Sequence, residues 1–276
     1  MLVVTLSSIP PRFGKIAGTL HSLAAQTAAI DRILVYIPEA YQRFPDWDGT
    51  LPEMPAGVEI RRTPRDLGPA TKVLAAAEEF RGQDVDILYC DDDRLYVPRW
   101  AQGLLEVKRH HDGVVAYMGV EAQWLSRGTG QRTQLPRAVR RWRLTDAEFQ
   151  LRHLWRDIRA RASGRTLPAP TRRITRRSGF VDSAEGCGGV LTRPEFYDAE
   201  CYEIPPLLWG HDDIWLSGNL ARKRIPIWLR AGLREPGDTD AEVLDPLWQA
   251  VVNGVDRDDA NRRGVDYMRK TYGVWP

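Results

Sequence analysis

Four apolar runs in the first ninety residues constrain this chain more than any other feature. Residues 2–6 (LVVTL), 33–37 (ILVYI), 58–60 (VEI) and 85–90 (VDILYC) read as strands, the second a buried one by length and β-branching and the third a shorter strand candidate. Helix-like segments separate them. Ile16, Leu20 and Leu23 recur at helical spacing after the first run. After the third, Pro64 and Gly68-Pro69 lead into a helix whose apolar face is Val73, Leu74, Ala77 and Phe80. This alternation predicts an α/β fold, with a parallel sheet covered by helices on both faces and ligands bound beyond the carboxyl ends of the strands. The fourth run ends directly in Asp91-Asp92-Asp93.

The pattern continues through a helix over 100–110 and a strand over 114–118, then gives way to an arginine-rich stretch. Residues 121–180 carry 15 Arg, no Lys and 4 acids, a local charge of +11 in a chain of net charge +2. The remainder is therefore acidic, and the basic segment faces something anionic: a membrane surface, an acidic polymer or phosphate groups of an acceptor. Nucleic acid ranks last among these partners. A helix over 144–161 is predicted, with Leu144, Phe149, Leu151, Leu154, Trp155 and Ile158 beside a cationic face. It either covers the acceptor cleft with solvated arginines or lies on a membrane. Regular structure resumes over 180–192, through Gly186-Cys187-Gly188-Gly189. A helix over 214–222 follows, and a last one over 265–275 closes on the body through Val265, Met268 and Tyr272.

A length of 276 residues suits one α/β domain with an insertion. The expected division is a first α/β half over 1–118, the basic insertion over 119–179, and a second half with its tail over 180–276. Hydrophobic residues at 43 % exclude a disordered chain. No window approaches eighteen consecutive apolar residues and the start lacks a basic leader, so neither a membrane span nor a signal peptide is expected. The expected location is cytoplasmic, with the insertion allowing a peripheral position at the inner face of the membrane. Cys90, Cys187 and Cys201 show no metal or disulfide spacing and read as reduced thiols.

Three sequence clusters could carry chemistry. Adjacent carboxylates at Asp91-Asp92-Asp93 repel one another and call for a cation. Hard oxygen ligands suit Mg²⁺ or Mn²⁺, which retain sites for phosphate oxygens. In extended backbone, Asp91 and Asp93 point one way and Asp92 the other. A solvated loop or a phosphatase-like site is the competing reading. In Asp66-Leu67-Gly68-Pro69-Ala70-Thr71-Lys72, helix-start amides, a hydroxyl and an ammonium favour phosphate, or else Asp66 simply initiates a capping turn. In Trp209-Gly210-His211-Asp212-Asp213, one aspartate could cap the following helix while the other serves as general base. His211 could be a ligand, a hydrogen-bond partner or neither.

The order of Ser7-Ser8-Ile9-Pro10-Pro11-Arg12, the 66–72 turn, Asp91-Asp92-Asp93 with Pro98 downstream, Gly186-Cys187-Gly188-Gly189 and Asp212-Asp213 resembles GT-A glycosyltransferases, closest to the family 2-like bacterial enzymes of surface polysaccharide assembly. That resemblance implies a GT-A fold with a Rossmann-like nucleotide-binding half and a mixed central sheet. It implies a nucleotide-diphosphate sugar donor, a UDP-sugar first of all, and a glycan or lipid-linked acceptor. Thr5, Ser7, Pro10 and Arg12 would line the nucleoside pocket, completed by Asp66 and Lys72. Asp91 would touch ribose or metal, Asp93 the metal-bridged diphosphate, with Asp92 a weaker candidate in the same site. Asp213 would be the base and Asp212 would orient acceptor or base, although this chain has Asp where the resembled enzymes carry Glu. A nucleotidyl- or phosphotransferase with the same acidic site, or a non-enzymatic polyanion-binding protein, are the alternatives.

Overall fold

The computed structural model describes residues 1–126, 134–245 and 257–275. Four parallel strands form its first half: β1 (Leu2–Ser7), β2 (Arg32–Pro38), β3 (Val58–Thr63) and β4 (Asp86–Tyr89). They run parallel, as the alternation of the sequence predicts, and lie in the order β3-β2-β1-β4. Both faces of β1, β2 and β4 are buried, which explains their near-continuous apolar runs, whereas β3 at the sheet edge exposes Glu59 and Arg62. Val3 on one face packs in the cluster of α2 (Thr71–Glu79). Leu2, Val4 and Leu6 on the other pack with residues of α1 (Ala17–Ala24) and α3 (Trp100–Lys108).

The second half changes direction. It contains β5 (Arg94–Leu95), β6 (Val114–Ala116), β7 (Gly119–Val120), β8 (Val139–Arg140), β9 (Thr175–Arg177), β10 (Gly179–Val181), β11 (Ser183–Ala184), β12 (Val190–Thr192), β13 (Ile227–Leu229) and β14 (Gly237–Asp238). Strand β12 runs antiparallel beside β4, with Val190 opposite Tyr89, and β6, β13 and β10 extend the sheet beyond it. The eight-stranded sheet is therefore mixed. Pairs β5/β14, β7/β11 and β8/β9 flank it. Because β12 returns against β4, the Gly186–Gly189 turn that precedes it arrives beside the end of β4, where Asp91 begins.

Beyond α4 (Ala122–Leu125), the insertion's helix α5 spans Ala147–Ser163 rather than 144–161. Asp146 fixes its start by accepting the Phe149 amide, and Gly164 ends it in the left-handed conformation (φ 64°). Of the apolar positions predicted for it, Phe149 alone is buried. Helix α6 (Asp212–Arg222) begins two residues earlier than predicted and so includes both aspartates. Helix α7 (Arg257–Tyr272) packs on α6, with Met268 against Gly218. Among the described residues, no helix is long and apolar enough to cross a membrane. All three cysteines are free thiols, with Cys90 and Cys201 in the core.

Candidate active site

A cavity of about 590 Å³ opens beyond the carboxyl ends of β1 and β4, next to the point where the sheet changes from parallel to antiparallel. Such a crevice is where open α/β sheets bind ligands. Its wall comes from seven separated segments, and its contacts are set by one buried ammonium. Lys72, in the first turn of α2 and 4 % exposed, lies 2.6 Å from Asp91 Oδ1 and 2.9 Å from Asp212 Oδ2. The two aspartate clusters are thus one site joined by a lysine.

The turn before α2 explains how Lys72 gets there. Asp66 Oδ1 accepts the Gly68 amide and its Oδ2 accepts the Gln42 amide, so both oxygens shape the loop as a turn-initiating aspartate would. Gly68 adopts φ 58°, and a Cβ there would meet Trp209 at 2.8–2.9 Å. Thr71 Oγ1 accepts the Leu67 amide and starts the helix. Lys72 then faces the strand ends instead of solvent.

Asp91, Asp92 and Asp93 each meet protein cations. Arg12 Nη1 lies 2.7 Å from Asp92 and 3.1 Å from Asp93, Ser8 donates to Asp92, and Arg94 Nε stands 3.4 Å from Asp93 Oδ1. Burial would raise Asp91, but Lys72 holds it below the usual carboxylate range. Asp92 is raised by burial against the pull of Arg12 and Ser8. Burial, with Asp91 and Asp92 as neighbours, pushes Asp93 up to about 6. For Lys72, burial works downwards, yet Asp212, Asp91 and Asp213 outweigh it and hold the ammonium well above its ordinary value.

The start of α6 separates two chemically distinct carboxylates. His211, at the N-cap position, makes no side-chain cap bond; its Nδ1 contacts Asn261 Oδ1 at 3.0 Å. Asp212 is ion-paired to Lys72, while Asp213 Oδ1 accepts the Gly186 amide at 2.8 Å. Burial and then Asp212 raise Asp213 well above the carboxylate range. Gly186 permits this approach, since a Cβ there would stand 3.0 Å from Lys72 Nζ and 3.4 Å from Asp213 Oδ1.

Ser7, Arg12, Asp66, Lys72, Asp91, Asp92, Asp93, Asp212 and Asp213 all line this cavity. Thr5 and Pro10 do not. Thr5 is fully buried within β1, where its backbone oxygen accepts the Cys90 amide, and Pro10 lies in a short 3₁₀ turn. Arg12 turns towards the carboxylates. Sequence reasoning missed Tyr41, Arg43, Phe44, Arg94, Glu242 and Asp245, which also line the cavity. Arg94 adjoined the aspartate triplet and was the one visible signal; the 242–245 segment arrives from far along the chain, with Arg12 Nε bonding the Leu244 oxygen.

Nine acidic and four basic side chains line the cavity. A bare diphosphate would be repelled by that excess, whereas a diphosphate carrying a divalent cation would not. Among the described residues, Asp93 Oδ1 is buried without a hydrogen bond, at ion-pair distance from Arg94 alone. That oxygen and Asp91 fit a hard cation. Among the described residues, no three His, Cys, Asp or Glu side chains form a metal-holding group by themselves, so phosphate or water oxygens would complete the shell.

No known family model matches the chain, and no curated protein matches it in sequence. Among solved structures it is similar to GalNAc-T7 crystallised with UDP, GalNAc and Mn²⁺, at a TM-score of 0.51 and 11 % identity, over 98 % of this chain and 47 % of that one. It therefore spans about half the length of that protein. It is also similar to a mycobacterial protein (TM-score 0.46, 13 % identity, 99 % of this chain and 75 % of that one). A third similar structure is Staphylococcus aureus TarS 1–349 in complex with UDP (TM-score 0.41, 14 % identity, 85 % and 59 %). With its parallel first half, its antiparallel strand at the switch point and its mixed sheet, the chain has the GT-A fold.

Proposed function

We propose that this protein is a metal-dependent glycosyltransferase that moves a sugar from a nucleotide-diphosphate donor, a UDP-sugar in the first instance, to a hydroxyl of a glycan or lipid-linked acceptor. The observation that carries this reading is Lys72, buried between Asp91 and Asp212 at 2.6 and 2.9 Å. It ties a carboxylate cluster suited to a metal-bound diphosphate to a second cluster suited to proton transfer. The fold shared with GalNAc-T7, which was crystallised with UDP, GalNAc and Mn²⁺, supports it.

Bound Mn²⁺ or Mg²⁺, held by Asp91 and Asp93, would supply charge neutralisation for the diphosphate. The chain's own residues account for the rest. Lys72 offers a fixed ammonium near the departing diphosphate. Tyr41 and Phe44, in edge-to-face contact at 5.9 Å, give the cavity an aromatic wall suited to the nucleoside. As the bond from the sugar carbon to the diphosphate oxygen breaks and the bond to the acceptor oxygen forms, the acceptor proton passes to Asp213. Its raised basicity supports this role over Asp212, which the ammonium neutralises. The Arg-rich insertion is the candidate for peripheral contact with an anionic membrane on the cytoplasmic side.

Thermal unfolding of the protein with UDP, GDP or CMP, each with Mn²⁺ or with chelator, tests the reading. A nucleoside diphosphate at a hundredfold its dissociation constant stabilises the native state by about 2.7 kcal/mol. Stabilisation by one nucleoside diphosphate with metal, lost with chelator and in Asp93→Ala, is the expected result. Stabilisation by none of them overturns the reading.

A further inference from the structure

Helix α5 presents the wrong face to water. Leu151, Leu154, Trp155 and Ile158 follow one another at spacings of three and four, so they form one stripe. All four are exposed, by 56, 57, 58 and 47 %. Trp142 and Leu144, in the segment leading into the helix, are exposed by 77 and 89 %. Phe149, on the opposite side, is the buried contact. A water-facing helix of a globular domain normally has the inverse orientation, and a contiguous exposed apolar patch marks a docking site.

The chemistry of the rim identifies the occupant. At 100° per residue, Arg152 and Arg159 fall on one border of the stripe and Arg161 on the other. All three are exposed and, like Arg165, form no ion pair among the described residues. An apolar stripe bordered by unpaired arginines matches a lipid surface with anionic headgroups: apolar side chains enter the headgroup–acyl boundary while guanidinium groups meet phosphates. A second copy of the chain matches poorly, because two-fold pairing along the stripe sets arginine against arginine. A soluble polyanion would leave the apolar side chains unexplained. The helix is also preformed. Its start is capped by Asp146, and Glu148 in its first turn is held by Arg173 at 2.6 Å and by Arg234. Docking therefore needs little ordering of the chain.

We propose that α5, with Trp142 and Leu144, is an interfacial helix that docks this protein on anionic lipid bilayers. This goes beyond the transferase reading and does not depend on it. Co-sedimentation of the full chain with phosphatidylcholine vesicles containing phosphatidylglycerol, against phosphatidylcholine alone, measures it. The expected result is at least about tenfold stronger partition onto the anionic vesicles, weakening as salt is raised. Leu154→Glu with Trp155→Glu should reduce that partition at least about tenfold without shifting the thermal midpoint, because both residues lie outside the core. Arg152→Gln, Arg159→Gln and Arg161→Gln together should make the two vesicle types equivalent. Equal partition by the wild type and the Glu double variant overturns the proposal. So does binding of heparin without vesicle binding, which would indicate a soluble polyanion partner. A concentration-dependent dimer abolished by the Glu substitutions, again without vesicle binding, would mark the stripe as a self-association surface.

Discussion

The cleft and the insertion treat charge in opposite ways. In the cleft, carboxylates from the segment after β4 and from the start of α6 are buried or half-buried and meet Lys72, Arg12 and Arg94 at ion-pair distances. In the insertion, arginines outnumber acids, and several stand unpaired at the surface beside exposed leucine and tryptophan. Burial turns charge into tuned acidity and fixed geometry, because each unpaired ion costs several kcal/mol and shifts its neighbours. Surface charge does neither, and acts instead as a diffuse, salt-sensitive attraction. The same residue class, a basic side chain, is therefore a structural and chemical element at Lys72 and an adhesive one at Arg159.

The sharpest way to separate the two regions is to remove a single proton acceptor. Asp213→Asn keeps the size of the side chain and an oxygen for the Gly186 amide. Turnover should fall by about a hundredfold to ten-thousandfold while metal-dependent donor binding persists. Transfer and donor binding measured on the same preparation check this, and intact transfer would reject Asp213 as the base.

A smaller but still large effect is expected from Lys72→Met, which leaves Asp91 and Asp212 without their shared ammonium. Loss of one partner from a buried pair destabilises by about 3 kcal/mol. The corresponding change at an exposed arginine, Arg159→Met, should stay within about 0.5 kcal/mol. Urea unfolding of both variants makes the contrast directly. Equal effects would mean that Lys72 is solvated and that the two clusters are not one site.

The contrast also explains what the sequence reveals and what it hides. The parallel half is legible because two-sided burial forces apolar side chains at nearly every position of β1 and β2, and because Asp91 follows the last strand without a gap. Lys72 is legible as a phosphate-type residue, but its bridge to Asp212 spans 140 positions and has no local signature. Thr5 looks like a pocket residue from its neighbourhood and shares a face of β1 with Ser7, yet it lies two residues back from the strand's carboxyl end and is covered there. Arg94 and Glu242 reach the site through the β5/β14 pairing, which joins segments more than 140 residues apart. In the insertion, periodicity predicts a helix correctly but is silent on which face meets the protein. Ion pairs at Glu148 settle that, and their arginines lie at 173 and 234.

Those ion pairs give the smallest effect and the most direct test of how the insertion is attached. Hydrogen bonding from Arg234 holds Glu148 below the ordinary carboxylate value, with Arg173 adding to it. A carboxylate lowered in the folded state contributes stability that is present above its unfolded value and is lost as pH falls through the folded one. Attachment of α5 should accordingly loosen below the ordinary carboxylate range and be insensitive to pH above it. Glu148 is half-exposed at the surface, so the effect is local and modest, read by hydrogen exchange of the α5 amides and not by global unfolding. Asp91 is also lowered, by Lys72, so acid weakens the cleft too, and pH alone does not separate the regions. Glu148→Gln does. It should bring the acid-level exchange of α5 to neutral pH while leaving metal-dependent nucleotide binding unchanged. If nucleotide binding weakens in parallel, the insertion and the cleft are mechanically coupled through Arg234, and the division between a chemical region and an adhesive one fails at that contact.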